Sequence, residues 1–484
     1  MPMRRLILFL LLTGGALAAA DRPNVLFIMA DDFRPELASY GSPAITPNLD
    51  RLAERSVQFQ RAYCQQAVCN PSRSSMLTGL RPDTLGLWNN GTHFRELKPD
   101  VTTLPLWFKD HGYTTRNVGK IFHNWHTKEK GDRRSWSADE FLYYENHGSD
   151  TARVQGGLPP NHAKVRGGRG YGANGLTECR DVPDDAYFDG RVAAEAVRVL
   201  GEIKDSPFFL AVGFWKPHAP FNAPKKYWDL YDRAKLPPLN GAKPEGAPEL
   251  AFHASTEILG PPNKQKPLTD AEVAEMRHGY FANISYLDAQ LGKVLDALDQ
   301  SGAAGNTIIT FVGDHGYHLG EHTLWGKTSN FEYDAHVPFM ISAPKVAAPG
   351  QTKSLAELLD LFPTLVDLCG LPKPDGVEGE SLVPILKDHT AAVKPAAYTQ
   401  HPRPAYYDRE PGSKPKAMGC SVRTAEVRYT EWRDWASGAV IARELYDTEK
   451  DPAELRNALE DSSLKAARAE AEKLLLAKFP IQKH

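Results

Sequence analysis

The chain is short of cysteine, of long apolar runs and of charge of one sign. Five cysteines occur in 484 residues: Cys64, Cys69, Cys179, Cys369 and Cys420. An odd number cannot be paired off completely, so at least one thiol serves another purpose. An isolated cysteine is commonly a small buried apolar group, which is the plain reading of Cys64. No apolar run reaches the ~20 residues of a spanning helix, so no membrane span is expected. Lys and Arg total 57 against 60 Asp and Glu, a net charge of -3, with no block of like charge. That balance gives no electrostatic pull toward nucleic acid.

What is present begins with a leader. Arg4 and Arg5 precede a short apolar run at residues 6–12, and Ala18, Ala19 and Ala20 supply small residues for cleavage. This pattern predicts a secretory signal over residues 1–20 and an exported protein, secreted or periplasmic. No cysteine stands at the cleavage point, which argues against a lipid anchor. The remaining length exceeds one simple core, so a large domain over 21–375 and a smaller one over 376–484 are expected.

Several apolar runs end abruptly in polar groups. Val25 through Ala30 ends in Asp31-Asp32, and residues 307–312 end in Gly313-Asp314-His315-Gly316. Residues 208–214 lead to Lys216-Pro217-His218, and the weaker run at 113–118 leads to Gly119-Lys120 and then His123. Continuous apolar strands are buried on both faces, which predicts an α/β fold with a mostly parallel sheet between helices. Ligands gather at the carboxyl ends of such strands, so these polar groups should share one edge. Three- and four-residue apolar spacing predicts helices over 186–200, 270–298 and 355–368. Residues 124–183, rich in Gly, Asn, His and Arg, read as a long surface insertion over that edge. The C-terminal part predicts a small antiparallel sheet, with strands over 421–432 and 439–446, and a terminal helix over 453–478.

Cys69 opens the segment Cys69-Asn70-Pro71-Ser72-Arg73, continued by Leu77-Thr78-Gly79-Leu80-Arg81-Pro82. Pro71 suits a helix start and Gly79 a helix stop. Cys69 should therefore sit at a helix amino end, where free N–H groups and the dipole favour an anion. A thiolate stabilised by that helix end is the simpler alternative. Two adjacent acids after a buried strand, Asp31 and Asp32, are expensive without a cation, which favours a metal site over a plain turn.

This segment resembles the signature of the type I sulfatases, in which the cysteine is oxidised to formylglycine. The resemblance extends through Ala30-Asp31-Asp32-Phe33-Arg34-Pro35, Gln65-Gln66-Ala67-Val68-Cys69, Val118-Gly119-Lys120-Ile121-Phe122-His123, Lys216-Pro217-His218, Asp314-His315-Gly316 and Ser329-Asn330-Phe331. Within the family it is nearest to the iduronate-2-sulfatase branch. It implies an alkaline-phosphatase-like architecture, and one divalent cation, Ca2+, held by Asp31, Asp32, Asp314, His315 and the modified residue 69. Hard carboxylate oxygens suit calcium, and His315 is the softer member. It further implies a hydrated aldehyde at 69 that attacks sulfur, with Arg73 holding the ionised oxygen. Lys120, His218 and Lys327 would surround the sulfate, and one of His218 and Lys327 would protonate the leaving sugar oxygen. His123 would then take a proton from the second hydroxyl and expel sulfate.

The implied partners are a sulfated carbohydrate and a maturation enzyme, either formylglycine-generating or of the anaerobic type. A 2-O-sulfated uronic acid is the sharpest expectation, within glycosaminoglycan or related polysaccharide degradation. His93, Arg95, Trp125, His126, Arg166 and Arg169 are candidate sugar contacts. Tyr317, after Asp314-His315-Gly316, departs from the family pattern and leaves specificity open. The alternatives are a sulfatase for another sugar, a phosphonate or phosphate ester hydrolase, and an inactive glycan-binding homologue.

Overall fold

The computed structural model describes residues 22–123, 127–141, 177–410 and 412–481. The expected leader lies outside the described residues, as do Trp125, His126, Arg166 and Arg169 of the insertion. Among the described residues no helix is long and apolar enough to cross a membrane.

Seven strands form the main sheet: β1 (Asn24–Asp31), β2 (Val57–Tyr63), β3 (Thr114–Gly119), β4 (Phe208–Pro217), β5 (Thr307–Gly313), β6 (Phe339–Ser342) and β7 (Gly350–Glu357). Their order is β7-β2-β6-β5-β1-β4-β3, and only β6 runs against its neighbours. The four strands that carry the polar termini, β5, β1, β4 and β3, are therefore adjacent and parallel. Alternation along β1 explains the unbroken apolar sequence. Leu26, Ile28 and Ala30 enter one core with the helices α2 (Phe188–Ile203) and α3 (Asp270–Gln300). Val25, Phe27 and Met29 enter the opposite core with Met76 and Leu77 of α1 (Cys69–Thr78). Period-two alternation with both faces covered leaves no position for a polar residue until the strand ends.

The C-terminal strands β8 (Ala397–Arg403), β9 (Ala417–Arg423), β10 (Val427–Asp434) and β11 (Val440–Asp447) form an antiparallel sheet in chain order, backed by α4 (Lys465–Lys478). Its core gathers Val422, Tyr429, Leu445 and Leu475. Strand β8 reaches the main domain through the Gln400 amide on the Gln65 carbonyl, 2.9 Å, and the Thr399 hydroxyl on the Cys64 carbonyl, 2.8 Å. These bonds brace the segment that leads into α1.

Three expectations need correction. The helix expected over 355–368 begins only at Leu361, because residues 355–357 complete β7 and Glu357 with Asp360 forms a reciprocal cap. That cap satisfies amide donors at the turn and fixes where the strand ends. The strand expected over 421–432 is two strands, with the Thr424 side chain accepting amides across the turn between them. The terminal helix starts at Lys465 rather than near 453, after Asp461 caps a short turn over Ser462–Leu464. All five cysteines carry free thiols, so no disulfide joins them.

Candidate active site

The site forms where β5, β1, β4 and β3 end. Asp31 closes β1, and Asp32 follows with φ +59, the left-handed region that aspartate tolerates better than most residues. This turn swings the Asp32 amide toward Asp314, whose Oδ1 accepts it at 3.1 Å. Asp314 and His315 follow β5, and the Asp314 amide donates to the Ala30 carbonyl, 3.1 Å. Cys69 begins α1 directly, since Val68 provides no side-chain cap, and Gly79 ends the helix at φ +69 as its position predicts. The Ser72 hydroxyl donates to the Asp314 carbonyl, 2.5 Å, and ties the first turn of α1 to the end of β5.

Around Cys69 the acids converge. Cys69 Sγ lies 3.4 Å from Asp31 Oδ1 and 3.3 Å from His315 Nε2. Ligand atoms of Asp31, Cys69, Asp314 and His315 all fall within 4.8 Å of one another, as do those of Asp32, Cys69 and His218. Asp32 Oδ1 is 3.5 Å from His315 Nε2, which joins the two groups. Asp32 Oδ2 is buried and accepts no hydrogen bond among the described residues. An orphaned buried carboxylate oxygen, beside two other acids and an imidazole, fits a hard divalent cation.

Charge is balanced by three cations. Arg73 is completely buried, and its Nε donates to Asp314 Oδ2 at 2.7 Å while Nη2 sits 3.2 Å from Asp31 Oδ1. Its Nη1 donates to the carbonyls of Lys120, 2.5 Å, and Ile121, 3.1 Å. Lys120 Nζ pairs with Asp31 Oδ2 and lies 5.1 Å from the centre of the Trp215 ring. Burial alone would raise the Asp31 carboxyl, but Lys120 and Arg73 outweigh it and hold the group well below the usual range. For Asp32, burial and the neighbouring Asp31 charge push the carboxyl well above that range, against the pull of Lys327. Burial and then Asp31 raise the Cys69 thiol to about 12. That is opposite to the thiolate that the helix end alone would favour.

On the far side of Asp32, Lys327 Nζ donates to Asp32 Oδ1, 2.8 Å, and to Glu257 Oε1, 2.9 Å. His218 Nε2 faces the same Glu257 oxygen at 3.2 Å and Asp32 Oδ2 at 3.6 Å. Burial, reinforced by the Lys327 charge, pushes His218 down to about 4. His123 is buried beyond the end of β3, on the same edge. The candidate residues at 31, 32, 69, 73, 120, 218, 314, 315 and 327 thus fall in one connected cluster.

Two candidate sugar contacts are otherwise engaged. Arg95 grips both oxygens of Asp132 at 2.7 Å, and His93 lies against the Gly131 carbonyl, 2.8 Å, and stacks on Phe94. Both brace the 131–135 segment. Tyr317 stacks on Tyr280 at 5.8 Å between ring centres, and the Tyr280 hydroxyl donates to the Asp32 carbonyl, 2.7 Å. The unusual tyrosine therefore supports the turn that carries the acids. Sequence reasoning missed Glu257 and Tyr406, whose hydroxyl donates to Glu257 Oε2 at 2.5 Å. Neither lies in a motif or a periodic segment, and no local signal marks them.

The comparisons agree with this geometry. Residues 23–371 match the family model described as Sulfatase, and residues 320–479 match that described as N-sulphoglucosamine sulphohydrolase, C-terminal. Iduronate 2-sulfatase of Mus musculus is 35% identical over 517 aligned residues, covering 92% of each chain. The structure of phosphonate monoester hydrolase of Agrobacterium radiobacter matches with TM-score 0.77 at 26% identity, covering 94% of this chain and 95% of that one. A 2-O GAG sulfatase matches with TM-score 0.68 at 23% identity, covering 94% and 92%, a likeness of fold alone. The expected alkaline-phosphatase-like architecture, a large mostly parallel sheet with a small antiparallel C-terminal sheet, is the one these neighbours share. With most of its length under one family model and a relative this similar end to end, the chain belongs to the sulfatase family and is a sulfuric ester hydrolase.

Proposed function

We propose that this sulfatase removes sulfate from a sulfated carbohydrate, with a 2-O-sulfated uronic acid as the favoured sugar, through formylglycine made from Cys69. The carrying observation is the burial of Cys69 at the amino end of α1, among Asp31, Asp314, His315 and Arg73. A formylglycine hydrate at this position would offer two hydroxyls, one to attack sulfur and a second whose proton is lost when sulfate leaves. Maturation then requires a formylglycine-generating or anaerobic sulfatase-maturing enzyme, and the leader fits a secreted or periplasmic destination.

Asp31, Asp32, Asp314, His315 and residue 69 are the set that would hold one Ca2+. When bound, the cation favours ionisation of a hydroxyl at residue 69 and offsets the charge of the sulfate. Arg73, which hydrogen-bonds Asp314 and is ion-paired with Asp31, would keep both acids oriented toward that cation. Lys120, anchored through its own backbone to Arg73 and Gly213 and paired with Asp31, would contribute its ammonium to holding a sulfate oxygen. Lys327 and His218 lie on the opposite flank, suited to the leaving oxygen. His123 is the base for the proton that residue 69 gives up when sulfate leaves.

The uronate reading is supported by the end-to-end similarity to mouse iduronate 2-sulfatase. Phosphonate ester hydrolysis is the second reading, favoured by the similarity to the Agrobacterium enzyme. Inorganic sulfate released from a heparin-derived disaccharide carrying a 2-sulfated unsaturated uronate tests the first. Protein with verified formylglycine is compared with Cys69→Ala. Release that vanishes in the variant is the expected result. No release from this sugar, with release from galactose, fucose or glucosamine sulfates, would overturn the uronate assignment. Faster turnover of a phosphonate monoester than of any sulfate ester would favour the second reading.

A further inference from the structure

Glu257 occupies a position that the metal and sulfate chemistry does not explain. Its side chain is nine-tenths buried, and Oε1 lies 2.9 Å from Lys327 Nζ and 3.2 Å from His218 Nε2. Lys327 is therefore shared between two acids, Asp32 at 2.8 Å on the metal side and Glu257 on the other. Burial would raise the Glu257 carboxyl, but Lys327 and His218 hold it well below its ordinary range, so it stands as a carboxylate.

The surroundings fix Glu257 from two directions. The Ser255 hydroxyl accepts the Trp325 amide, 2.9 Å, which ties the loop carrying Glu257 to the strand that leads into Lys327. From the C-terminal part, Tyr406 donates to Oε2 at 2.5 Å. The Arg409 guanidinium lies 4.0 Å from the centre of the Tyr406 ring and donates to the Thr256 hydroxyl at 3.1 Å. The segment after β8 thus closes over residues 256 and 257 and leaves Oε1 directed at Lys327 Nζ and the His218 ring. His218 Nδ1 is engaged with the Ala219 carbonyl, 2.5 Å, so Nε2 is the nitrogen turned toward the site.

We propose that Glu257, clamped by Tyr406, is a positioning residue that sets His218 and Lys327 on the leaving-group side of the bound sulfate. Asp32 alone would draw Lys327 toward the cation side, where it cannot reach the departing oxygen. The opposing carboxylate holds the ammonium midway and fixes the plane of the imidazole, so both face the bond that breaks. The inference rests on the sulfatase reading of His218 and Lys327, but it assigns a function to residues outside the sulfate-binding set. It also explains why a tyrosine of the C-terminal part reaches into the main domain.

A group that acts on the leaving oxygen matters most when that oxygen leaves as an alkoxide. The test compares an alkyl sugar sulfate with 4-nitrophenyl sulfate, whose phenolate departs without help, on protein with verified formylglycine. Glu257→Gln is expected to lower kcat on the sugar sulfate by ~100-fold with KM within about threefold, and to lower kcat on the aryl ester by less than ~5-fold. Tyr406→Phe removes only the clamping hydroxyl and should show the same selectivity at ~5-fold; it carries the comparison if Glu257→Gln does not fold. Equal losses on both esters, or no loss on either, would overturn the proposal. A wild-type enzyme inactive on every sulfate ester would instead overturn the function on which it rests.

Discussion

Replacing Gly213 by alanine tests whether the backbone of the sheet sets the position of Lys120. A Cβ at 213 would lie 1.9 Å from the Lys120 carbonyl oxygen, 2.2 Å from its carbon and 2.7 Å from its nitrogen. Reaching the 3.4 Å of an ordinary contact requires that carbonyl to retreat by about 1.5 Å. It is the same carbonyl that accepts Arg73 Nη1 at 2.5 Å, and the Lys120 amide donates to Gly213 at 2.8 Å. A single methyl therefore disturbs Lys120 and Arg73 together. Misplacement of a reacting group by ~1 Å costs about 100-fold, so kcat/KM should fall by roughly that factor, ~2.7 kcal/mol in the barrier. Overpacking destabilises the fold by ~1–3 kcal/mol, which for a chain this long moves the melting point by only ~1–3 °C. Sulfate release and thermal melting, measured on one preparation, separate the two effects. Gly201→Ala is the control, because a Cβ there meets nothing within 4 Å on the exposed side of α2. It should gain up to ~1 kcal/mol with activity unchanged. A folded Gly213→Ala enzyme within about threefold of wild-type activity would refute the reasoning.

Three further outcomes are expected. Mass spectrometry of the tryptic peptide ending at Arg73 should find an aldehyde at residue 69 in protein from a competent host, and Cys69→Ser from a host without serine conversion should abolish turnover. Removing divalent cations with a chelator should abolish activity and lower the melting point, with Ca2+ at 100 times its Kd restoring ~2.7 kcal/mol; a melting point indifferent to both would contradict the metal site. Glu357→Gln should lose ~3–5 kcal/mol at neutral pH by leaving Arg81 without its buried carboxylate, while Lys394 keeps Asp360 at 2.6 Å. Burial raises Glu357, but Arg81 and Lys394 bring it down to about 2 from 4.5, so its stabilisation is full above 4.5 and disappears as pH falls toward 2. Denaturant titrations across that window should show a flatter pH slope in the variant.

The legible parts of the sequence share a physical cause. Strands β1, β4 and β5 are buried on both faces, so each reads as an unbroken apolar run whose end is unmistakable. Their polar terminators, Asp31-Asp32, His218 and Asp314-His315, stand out in the sequence and lie close together in the structure. The limits of α1 followed from local backbone chemistry at Cys69 and Gly79. The failures also share a cause. The helix at Leu361 was overextended because the end of β7 and the start of the helix are both apolar, and only the Glu357–Asp360 cap separates them. Glu257 and Tyr406 are 149 residues apart and meet only through the C-terminal part, so no window of sequence contains their relation. Arg95 looked available to a sugar because a sequence shows charge and hides its partner, here Asp132.

Charge at the site bears on which ester it takes. Asp31, Asp32, Asp314 and Glu257 are buried acids, and Arg73, Lys120 and Lys327 are buried bases, so the side chains sum to one negative charge. One divalent cation changes that to one positive, and it is Asp32, raised by burial and by Asp31, that most needs it. While residue 69 is un-ionised, a sulfate monoester, with its single negative charge, closes the balance, as does a phosphonate monoester. A phosphate monoester dianion would leave an unmatched negative charge among buried acids, and an uncompensated buried charge costs several kcal/mol. Turnover should therefore favour a sulfate ester over the phosphate monoester of the same alcohol by at least ~100-fold in kcat/KM, equivalent to ~2.7 kcal/mol. The ratio should narrow as pH falls through the second phosphate ionisation, where the dianion becomes a monoanion. Equal turnover of the two esters at neutral pH would mean that charge matching does not select the substrate, and shape recognition of the alcohol would have to do so instead.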